Sequence, residues 1–491
     1  MKKLLEKNWP LLLAFIIGTI ISIHYYIPSF SFDGYCNLCD SFKNYSIIFV
    51  KAGRYFPALI YYLIDLFKIN YNLFSTISII LSIIFLSKTV SIIYNDISSL
   101  VDKTKITKAI IFIGAFLICF NPFISEFFVF EESFAMTLGI LLSVLSASIF
   151  CKKEKGYFIK SLLILLFAAI CYQSTLCMFI PYAFLLITIK NKDKNIIENI
   201  KANWKTYLLG ILIYSLALGI AFVTLKIVIK IFALNSAKFG SLNILTNIKA
   251  IYRLLKEVLS YLMHFIRKEY FYGIISFILL ITTPFLFINF KKNINLFIYM
   301  IIMIGLCFTM CFVPNLAMNS ESNYTAARML SSFCAAPGFL ILMLFIYEFN
   351  KNDVLLKKYF SILILISGII YSLLVCRTMF NSSKDSYERY KNDLAYLSYI
   401  ENNVTDINNY ENIYFVIDES VQPFYKDPIN GNNYRMYFFG WAFNCGYKAF
   451  VNDKATLTQV EKNDIEKYEF IDKGKFEYYN KENDLYLILK Q

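Results

Sequence analysis

The chain has 491 residues, of which 58% are hydrophobic and 17% charged, and its mean hydropathy is +0.54. This balance excludes an ordinary soluble domain and is typical of a membrane protein with many spans. The formal net charge of +13 does not indicate a nucleic-acid partner, because Lys and Arg collect in the cytoplasmic loops of membrane proteins.

The N-terminal segment begins with Met1, Lys2 and Lys3 and continues into an apolar run from about Pro10 to Ile27. Since no small-residue cleavage site follows the run, we predict an uncleaved signal anchor whose start lies in the cytoplasm. This orientation sets the side of every later loop.

Apolar runs of about 18 to 25 residues recur along the chain, which is the length that a helix needs to cross roughly 30 Å of hydrocarbon. They predict about eleven transmembrane helices, an odd number that places the C-terminal tail outside. The polar pair Tyr172-Gln173 divides one long run into two spans. Clustered lysines fall in the loops predicted to be cytoplasmic, in agreement with the positive-inside rule. The spans lie near residues 10–29, 71–95, 106–122, 134–151, 157–171, 174–190, 206–230, 271–289, 296–313, 327–348 and 359–376.

Two outer loops, residues 30–70 and 234–270, are long enough to hold structure of their own. Tyr55 to Phe67 is apolar but short and contains an aspartate, which predicts an interfacial helix on the outer leaflet. Leu242 to Arg267 has apolar residues at helical spacing with basic residues between them, which predicts an amphipathic helix on the membrane surface. Its basic face could attract anionic headgroups or capture a lipid phosphate.

The composition changes after the last predicted span and divides the chain into a transmembrane part, residues 1–376, and a polar part, residues 377–491. Two alternating runs, Lys475 to Tyr479 and Asp484 to Lys490, are joined by a short polar turn and predict a hairpin. We therefore predict a small α/β domain outside the membrane, with a role in acceptor binding or a structural one.

Several familiar chemistries find no support in the sequence. The two histidines, His24 and His264, are far apart, so neither a histidine-rich metal site nor a catalytic triad is indicated. Cys36 and Cys39 form a lone CxxC pair, for which a local disulfide stays open. No cofactor is predicted; a divalent metal is possible but not indicated.

Charged residues close to the membrane are the best site candidates, because charge in this setting is costly and usually functional. The first outer loop holds a carboxylate and a guanidinium a short distance apart in sequence, a pair that suits a reaction on a lipid-linked anionic substrate. Other polar residues fall on the same predicted face. The candidates are Asp33, Asp40, Lys51 and Arg54 in the first outer loop, then Glu131, Glu132, Tyr172, Gln173 and Arg328.

The order of these residues resembles the Gtr-type glucosyl transferase family over roughly residues 1–380. The resemblance rests on Asp33 soon after the first span, Gly53-Arg54, the acidic segment after Asn121-Pro122, and Tyr172-Gln173. It implies a GT-C-type fold in a bacterial plasma membrane. It also implies inverting transfer of a sugar, typically glucose, from a polyprenyl-phosphate donor to a cell-surface polysaccharide.

The sequence departs from the family pattern at the acidic positions. An Asp-Asp pair is common in the first loop, whereas Asp33 is followed by Gly34 and the next acid is Asp40. Glu131 and Glu132 stand where an aspartate is expected. Both Asp33 and Asp40 therefore stay candidates for the base.

If the reaction is inverting transfer, a carboxylate must accept the proton of the attacking hydroxyl while cations stabilise the departing phosphate. Asp33 is the first choice for the base and Asp40 the second. Arg54 and Arg328, helped by Lys51, would bind the donor phosphate, since a guanidinium can do so bidentately. Glu131, Glu132, Tyr172 and Gln173 would hold hydroxyls of the sugar or acceptor.

Each residue also has a purely structural explanation. Asp33 could cap a helix, Arg54 could extend to lipid headgroups, Tyr172-Gln173 could satisfy a tight turn, and Arg328 could pair with Glu321. A polysaccharide polymerase or ligase, or a flippase of lipid-linked glycans, would share the composition. The chain shows no internal repeat and its polar residues gather at one edge, which favours an enzyme over a transporter.

Overall fold

The computed structural model describes residues 2–27, 34, 42–101, 104–191, 194, 196–234, 249, 252, 290–314, 327–348, 354–418, 440–465 and 467–490. Most of these residues are helical, and a small sheet follows near the C-terminus. The α-helices are α1 (Lys2–Ile21), α2 (Phe42–Lys51), α3 (Tyr55–Leu66), α4 (Tyr71–Ser98), α5 (Lys105–Cys119), α6 (Ser133–Lys152), α7 (Tyr157–Cys171), α8 (Phe179–Lys190), α9 (Ile196–Ile231), α10 (Phe290–Phe312), α11 (Ser331–Cys334), α12 (Ala336–Glu348), α13 (Val354–Asn403), α14 (Gly440–Phe450) and α15 (Lys462–Ile465).

Short 3-10 helices and strands complete the described elements. The 3-10 helices are Ile23–Tyr26, Pro122–Val129 (called the loop helix below), Gln173–Met178, Ala327–Leu330 and Ile407–Asn409. The strands are β1 (Asn412–Ile417), β2 (Thr456–Gln459), β3 (Ile471–Asp472), β4 (Phe476–Lys481) and β5 (Asp484–Leu489).

The prediction of a helical protein with many membrane spans is confirmed. Six described helices are long and apolar enough to cross a bilayer, and the number rises to seven if α5 and the loop helix, which meet at 46°, form one bent span. Described helices overlap every predicted span except 271–289, which lies outside the described residues. The count of eleven therefore stays a prediction.

Two breaks in the bundle follow from the local sequence. Pro122 lacks the N–H that a continuing helix would need, so α5 ends just before it and the chain bends into the loop helix. Tyr172 is extended, with φ −165° and ψ 110°, and separates α7 from the 3-10 helix that leads into α8. The predicted division at Tyr172-Gln173 is thus a real break between helices.

The segment predicted to be an interfacial helix is helical, as α3. Pro57, Ala58, Tyr61 and Ile64 face inwards and are buried. Several apolar residues on its other side are exposed, including Leu59 at 54%. An exposed apolar surface fits contact with lipid, while the position of α3 at the outer leaflet stays a prediction. The amphipathic segment predicted for 242–267 lies outside the described residues apart from 249 and 252.

α5 and α12 cross so closely that only glycine fits at the contact. A methyl group added to Gly338 would lie 2.5 Å from the carbonyl oxygen of Gly114 and 2.8 Å from the backbone nitrogen of Ile118. Both of these atoms belong to backbone, which cannot move aside as a side chain can. Close backbone contact at small residues is a common way for membrane helices to pack.

The polar C-terminal part contains the predicted α/β structure. Its five strands are ordered β2-β1-β5-β4-β3, with β1 parallel to both β2 and β5. β4 and β5 form an antiparallel hairpin that closes between Lys481 and Asp484, as predicted. One long helix, α13, runs through the expected boundary at 376/377, and its buried residues Tyr396 and Ile400 pack with Phe415 of the sheet. The tail is therefore joined to the bundle by continuous helix.

We expect Gly338→Ala to lower the free energy of unfolding by about 1 to 3 kcal/mol, the usual cost of overpacking a tight contact. Thermal or chemical unfolding of the purified protein in detergent would measure it. Gly219→Ala in α9 is the matched control, because a methyl group there meets nothing within 4 Å. Equal stability of the two variants would contradict the close crossing of α5 and α12.

Candidate active site

The connection between α5 and α6 buries three carboxylates. Every residue from 121 to 137 is buried, and Glu126, Glu131 and Glu132 are only 1%, 4% and 7% exposed. An ionised carboxylate away from water is costly unless a cation or hydrogen-bond donors satisfy it. The contacts of these three residues therefore matter for the structure around them. The end of the bundle at which α4 and α6 begin, and at which these carboxylates lie, is called the site end below.

Glu126 binds Arg328, which lies 202 residues further along the chain. One carboxylate oxygen is 2.5 Å from the Nη1 of Arg328, and the other accepts the backbone N–H of the same residue at 2.6 Å. The guanidinium also lies over the ring of Phe130, 4.6 Å from its centroid. This two-point contact fixes the 3-10 helix Ala327–Leu330 against the loop helix.

Glu132 forms a looser pair with Arg54. The Nη1 of Arg54 is 3.8 Å from the carboxylate, and the guanidinium lies over the ring of Tyr172, 4.4 Å from its centroid. An ion pair at 3.8 Å is too long for a direct hydrogen bond. Arg54 is held by charge and by the aromatic face, so its N–H donors are not consumed by the glutamate.

The backbone before Arg54 is fixed by Gln173. The side-chain nitrogen of Gln173 donates to the carbonyl oxygens of Ala52 at 3.1 Å and Gly53 at 3.0 Å. Gly53 has φ +71°, which favours glycine, and a methyl group there would lie 3.0 Å from the same nitrogen of Gln173. The Gly-Arg and Tyr-Gln pairs of the sequence thus form one contact.

The Nε of Arg54 is buried and has no hydrogen-bond partner in the part of the chain that the structure describes. A buried donor without a partner costs free energy, unless a ligand satisfies it. The Arg54 side chain is 17% exposed, so it is not fully closed off from solvent. This arrangement can receive an anion.

The backbone at Glu131 is held by serines from two helices. The hydroxyl of Ser78 in α4 donates to the carbonyl oxygen of Glu131 at 2.5 Å and lies 3.0 Å from the hydroxyl of Ser133. Ser82 donates to Ser133 at 3.0 Å. These contacts fix the turn that carries Glu131 and Glu132 at the start of α6.

The structure brings Arg54, Glu132, Tyr172 and Gln173 together, and it joins Arg328 to the same loop through Glu126. Lys51 ends α2 and is half-buried, and it has no ion pair with another described residue. The predicted catalytic residues Asp33 and Asp40, the pair Cys36 and Cys39, and Glu321 lie outside the described residues.

Gly34 is described within the first outer loop and is buried, and its carbonyl oxygen accepts the Tyr71 hydroxyl at 3.4 Å. Tyr71 begins α4 and also packs into the core of the C-terminal sheet. In the described ranges, no three His, Cys, Asp or Glu residues gather where they could hold a metal ion.

Sequence reasoning gave no role to Glu126, although it belongs to the acidic segment after Asn121-Pro122. The signal was available, because a glutamate within an apolar stretch requires a partner. The partner itself is far away in sequence, so only the fold identifies it as Arg328.

The helices and these contacts describe a membrane protein with many helices, in which two buried glutamates pair with arginines at one end of the bundle. The sequence model of one family, glucosyl transferase GtrII, matches residues 27–345, which is 319 of the 491 residues. The chain belongs to this family, and membership implies a glycosyltransferase. The matched range includes Arg54, Gln173 and Arg328. No curated protein matches the chain.

Arg328→Gln removes the guanidinium from the buried Glu126 carboxylate, and we expect it to destabilise the protein by about 3 to 5 kcal/mol. Adding Glu126→Gln should restore part of the loss, because the charge is then gone as well. Chemical unfolding in detergent measures both variants.

The control for this prediction is Lys384→Ala, which breaks the exposed pair with Glu388, whose side chains are 54% and 38% exposed. Such surface pairs contribute less than about 1 kcal/mol. If Arg328→Gln proves as mild as Lys384→Ala, the ion pair does not hold the loop helix in place.

Proposed function

We propose that the protein transfers a sugar, in keeping with its family glucose, from a polyprenyl-phosphate donor to a cell-surface polysaccharide. The reaction inverts the anomeric carbon and occurs at the outer face of a bacterial plasma membrane. In this proposal the N-terminus is cytoplasmic and the C-terminal α/β domain extracytoplasmic. The observation that carries it is Arg54, held at the site end with hydrogen-bond donors to spare.

Arg54 is the preferred ligand of the donor phosphate. As the glycosidic bond breaks, negative charge grows on the phosphate, and a fixed cation aimed at it lowers the barrier. The ring of Tyr172 and the carboxylate of Glu132 keep the guanidinium in place without using its N–H groups. A planar guanidinium suits two phosphate oxygens at once.

Arg328 has a more restricted role in this proposal. Its Nη1 and its backbone N–H are both engaged by Glu126 at 2.5 and 2.6 Å. In this proposal Arg328 contributes positive potential to the phosphate site, and Lys51, three residues before Arg54, is a further cation. We therefore rank Arg54 first.

Gln173 combines a positioning role with sugar binding. Its amide nitrogen is occupied by the carbonyls of Ala52 and Gly53. The amide oxygen is left to accept a hydrogen bond from a sugar hydroxyl. Glu131 is proposed as a further ligand for sugar or acceptor hydroxyls.

The base is proposed to be Asp33 or Asp40, both from the first outer loop. Inversion in one step requires the acceptor hydroxyl to attack the anomeric carbon while a carboxylate accepts its proton. The electrons of the breaking bond leave with the phosphate oxygen. Polyprenyl phosphate is then released and the new glycosidic bond joins the sugar to the polysaccharide.

If the protein were instead a polymerase, a ligase or a flippase, its loss would change the cell's glycans in a different way. Loss of a transferase removes a side-branch hexose from the surface polysaccharide. Loss of a flippase or polymerase instead makes lipid-linked glycan accumulate. Sugar analysis of the polysaccharide from cells lacking this protein separates these outcomes, and an unchanged hexose content would reject the transferase.

Arg54→Ala should lower the rate of glucose transfer at least about 100-fold, the usual effect of deleting one donor to a developing oxyanion. Arg54→Lys should recover only part of it, since an ammonium keeps the charge but loses the planar fork. Transfer of labelled glucose from synthetic polyprenyl phosphate in membrane preparations measures the rates.

Two lysine variants serve as controls for Arg54→Ala. Lys51→Ala should have a much smaller effect than Arg54→Ala. Lys68→Ala, at an exposed position just after α3, should leave the rate unchanged. If Arg54→Ala and Lys68→Ala reduce transfer to the same small extent, Arg54 only contacts headgroups.

Asp33→Asn should abolish transfer while the protein still folds and inserts, because an amide cannot accept the proton. Asp40→Asn serves as the comparison and identifies which acid is the base. Wild-type turnover by both variants would remove Asp33 and Asp40 from the mechanism.

A further inference from the structure

A lateral groove lies between α6, α8, α9 and α10, away from the site end. Its volume is about 280 Å³, and its surface is formed by aliphatic and aromatic side chains, with Thr206 and Tyr207 as the polar exceptions. Along α9 it extends from Ile200 to Ile211. At 1.5 Å per residue this is about 16 Å. A narrow apolar groove of this length fits a hydrocarbon chain.

Gly210 lies in the groove wall at a point where there is little room for a side chain. A methyl group at this position would lie 3.3 Å from the ring of Phe150 on the facing helix. Gly219, further along α9, has nothing within 4 Å of such a group. The two glycines therefore offer a matched pair, one inside the groove and one outside it.

A lysine contacts one residue of the groove wall. Lys153 directly follows α6 and lies in the left-handed region, with φ 56° and ψ 34°, which residues other than glycine rarely adopt. Its Nζ lies 2.9 Å from the hydroxyl of Thr206, a residue of the groove wall. A left-handed residue directly after the last turn is a common end of a helix.

The neighbouring lysines are engaged by the protein itself. Lys152 pairs with the buried Asp96 at 2.8 Å, and Lys190 donates to the carbonyl oxygen of Cys151 at 2.6 Å. The described contact of Lys153 is a neutral hydroxyl, so its positive charge is available to an anion.

We propose that this groove binds one acyl chain of an anionic phospholipid, whose phosphate contacts Lys153. Basic pockets between helices on the cytoplasmic side of membrane proteins suit anionic headgroups, and this end of the bundle is the one predicted to be cytoplasmic. In this proposal the apolar wall contacts the acyl chain, and Lys153 favours lipids with an anionic headgroup.

The groove is separate from the proposed donor site. Lys153 follows the last residue of α6, whose first residue, Ser133, adjoins Glu132 at the site end. The 20 residues of α6 span about 30 Å. A lipid whose phosphate lies at Arg54 cannot place the same phosphate at Lys153, so the inference does not depend on the proposed reaction.

The test uses the full-length protein purified in a neutral detergent, with palmitoyl-oleoyl phosphatidylglycerol as the probe and the phosphatidylcholine of the same chains as its reference. Native mass spectrometry counts bound lipid, and a titration gives the affinity. We expect one tightly bound phosphatidylglycerol, with phosphatidylcholine bound at least tenfold more weakly.

Two variants test the two halves of the site. Lys153→Gln should weaken phosphatidylglycerol about fivefold, the effect of one lysine at a lipid phosphate, while Lys155→Gln in the same loop should not. Gly210→Leu should block the groove and remove the tightly bound lipid, while Gly219→Leu should leave it.

Three results would overturn the proposal. Equal effects of Lys153→Gln and Lys155→Gln would mean diffuse attraction without a site. Equal affinity for the two phospholipids would mean that charge is not recognised. Displacement of phosphatidylglycerol by an equimolar polyprenyl phosphate would assign the groove to that lipid instead. All of these readouts are independent of sugar transfer.

Discussion

The need to satisfy carboxylates buried within the helix bundle organises the site end of this protein. Glu126 lies in the middle and Glu132 at the end of the connection between α5 and α6, and each meets an arginine from a different part of the chain. Neither charge could stay in place without a cation, because the cost of burying it alone is several kcal/mol. The hydrophobic effect has no preferred direction, so it would not fix how these segments are placed relative to each other. The two ion pairs do.

The two arginines are held differently, and the difference gives them different uses. Arg328 is bound tightly through two oxygens of Glu126, which suits a structural tie. Arg54 is held by the face of Tyr172 and by a longer ion pair, so its hydrogen-bond donors stay available. The proposed binding of a lipid-linked phosphate requires a cation of the second kind, positioned in advance.

The opposite end of the bundle uses charge in another way. Asp96 lies there between the Nζ of Lys152 at 2.8 Å and the hydroxyl of Tyr182 at 2.9 Å, which ties α4, α6 and α8 together. Lys153 follows α6 with a left-handed backbone, and its Nζ contacts the hydroxyl of Thr206 in the groove wall. One end of the bundle thus has arginines paired with glutamates, and the other has lysines beside the apolar groove.

The sequence alone determined the helical membrane class, the break at Tyr172-Gln173, the C-terminal hairpin and most of the candidate side chains, because these depend on local hydrophobicity and turn chemistry. It also supplied the family resemblance that the GtrII match confirmed. The pairing of Arg328 with Glu126 across 202 residues, and the role of Gln173 in fixing Gly53, were decided only by the tertiary structure. Pairing between distant residues depends on which helix ends meet, and no local pattern encodes that contact.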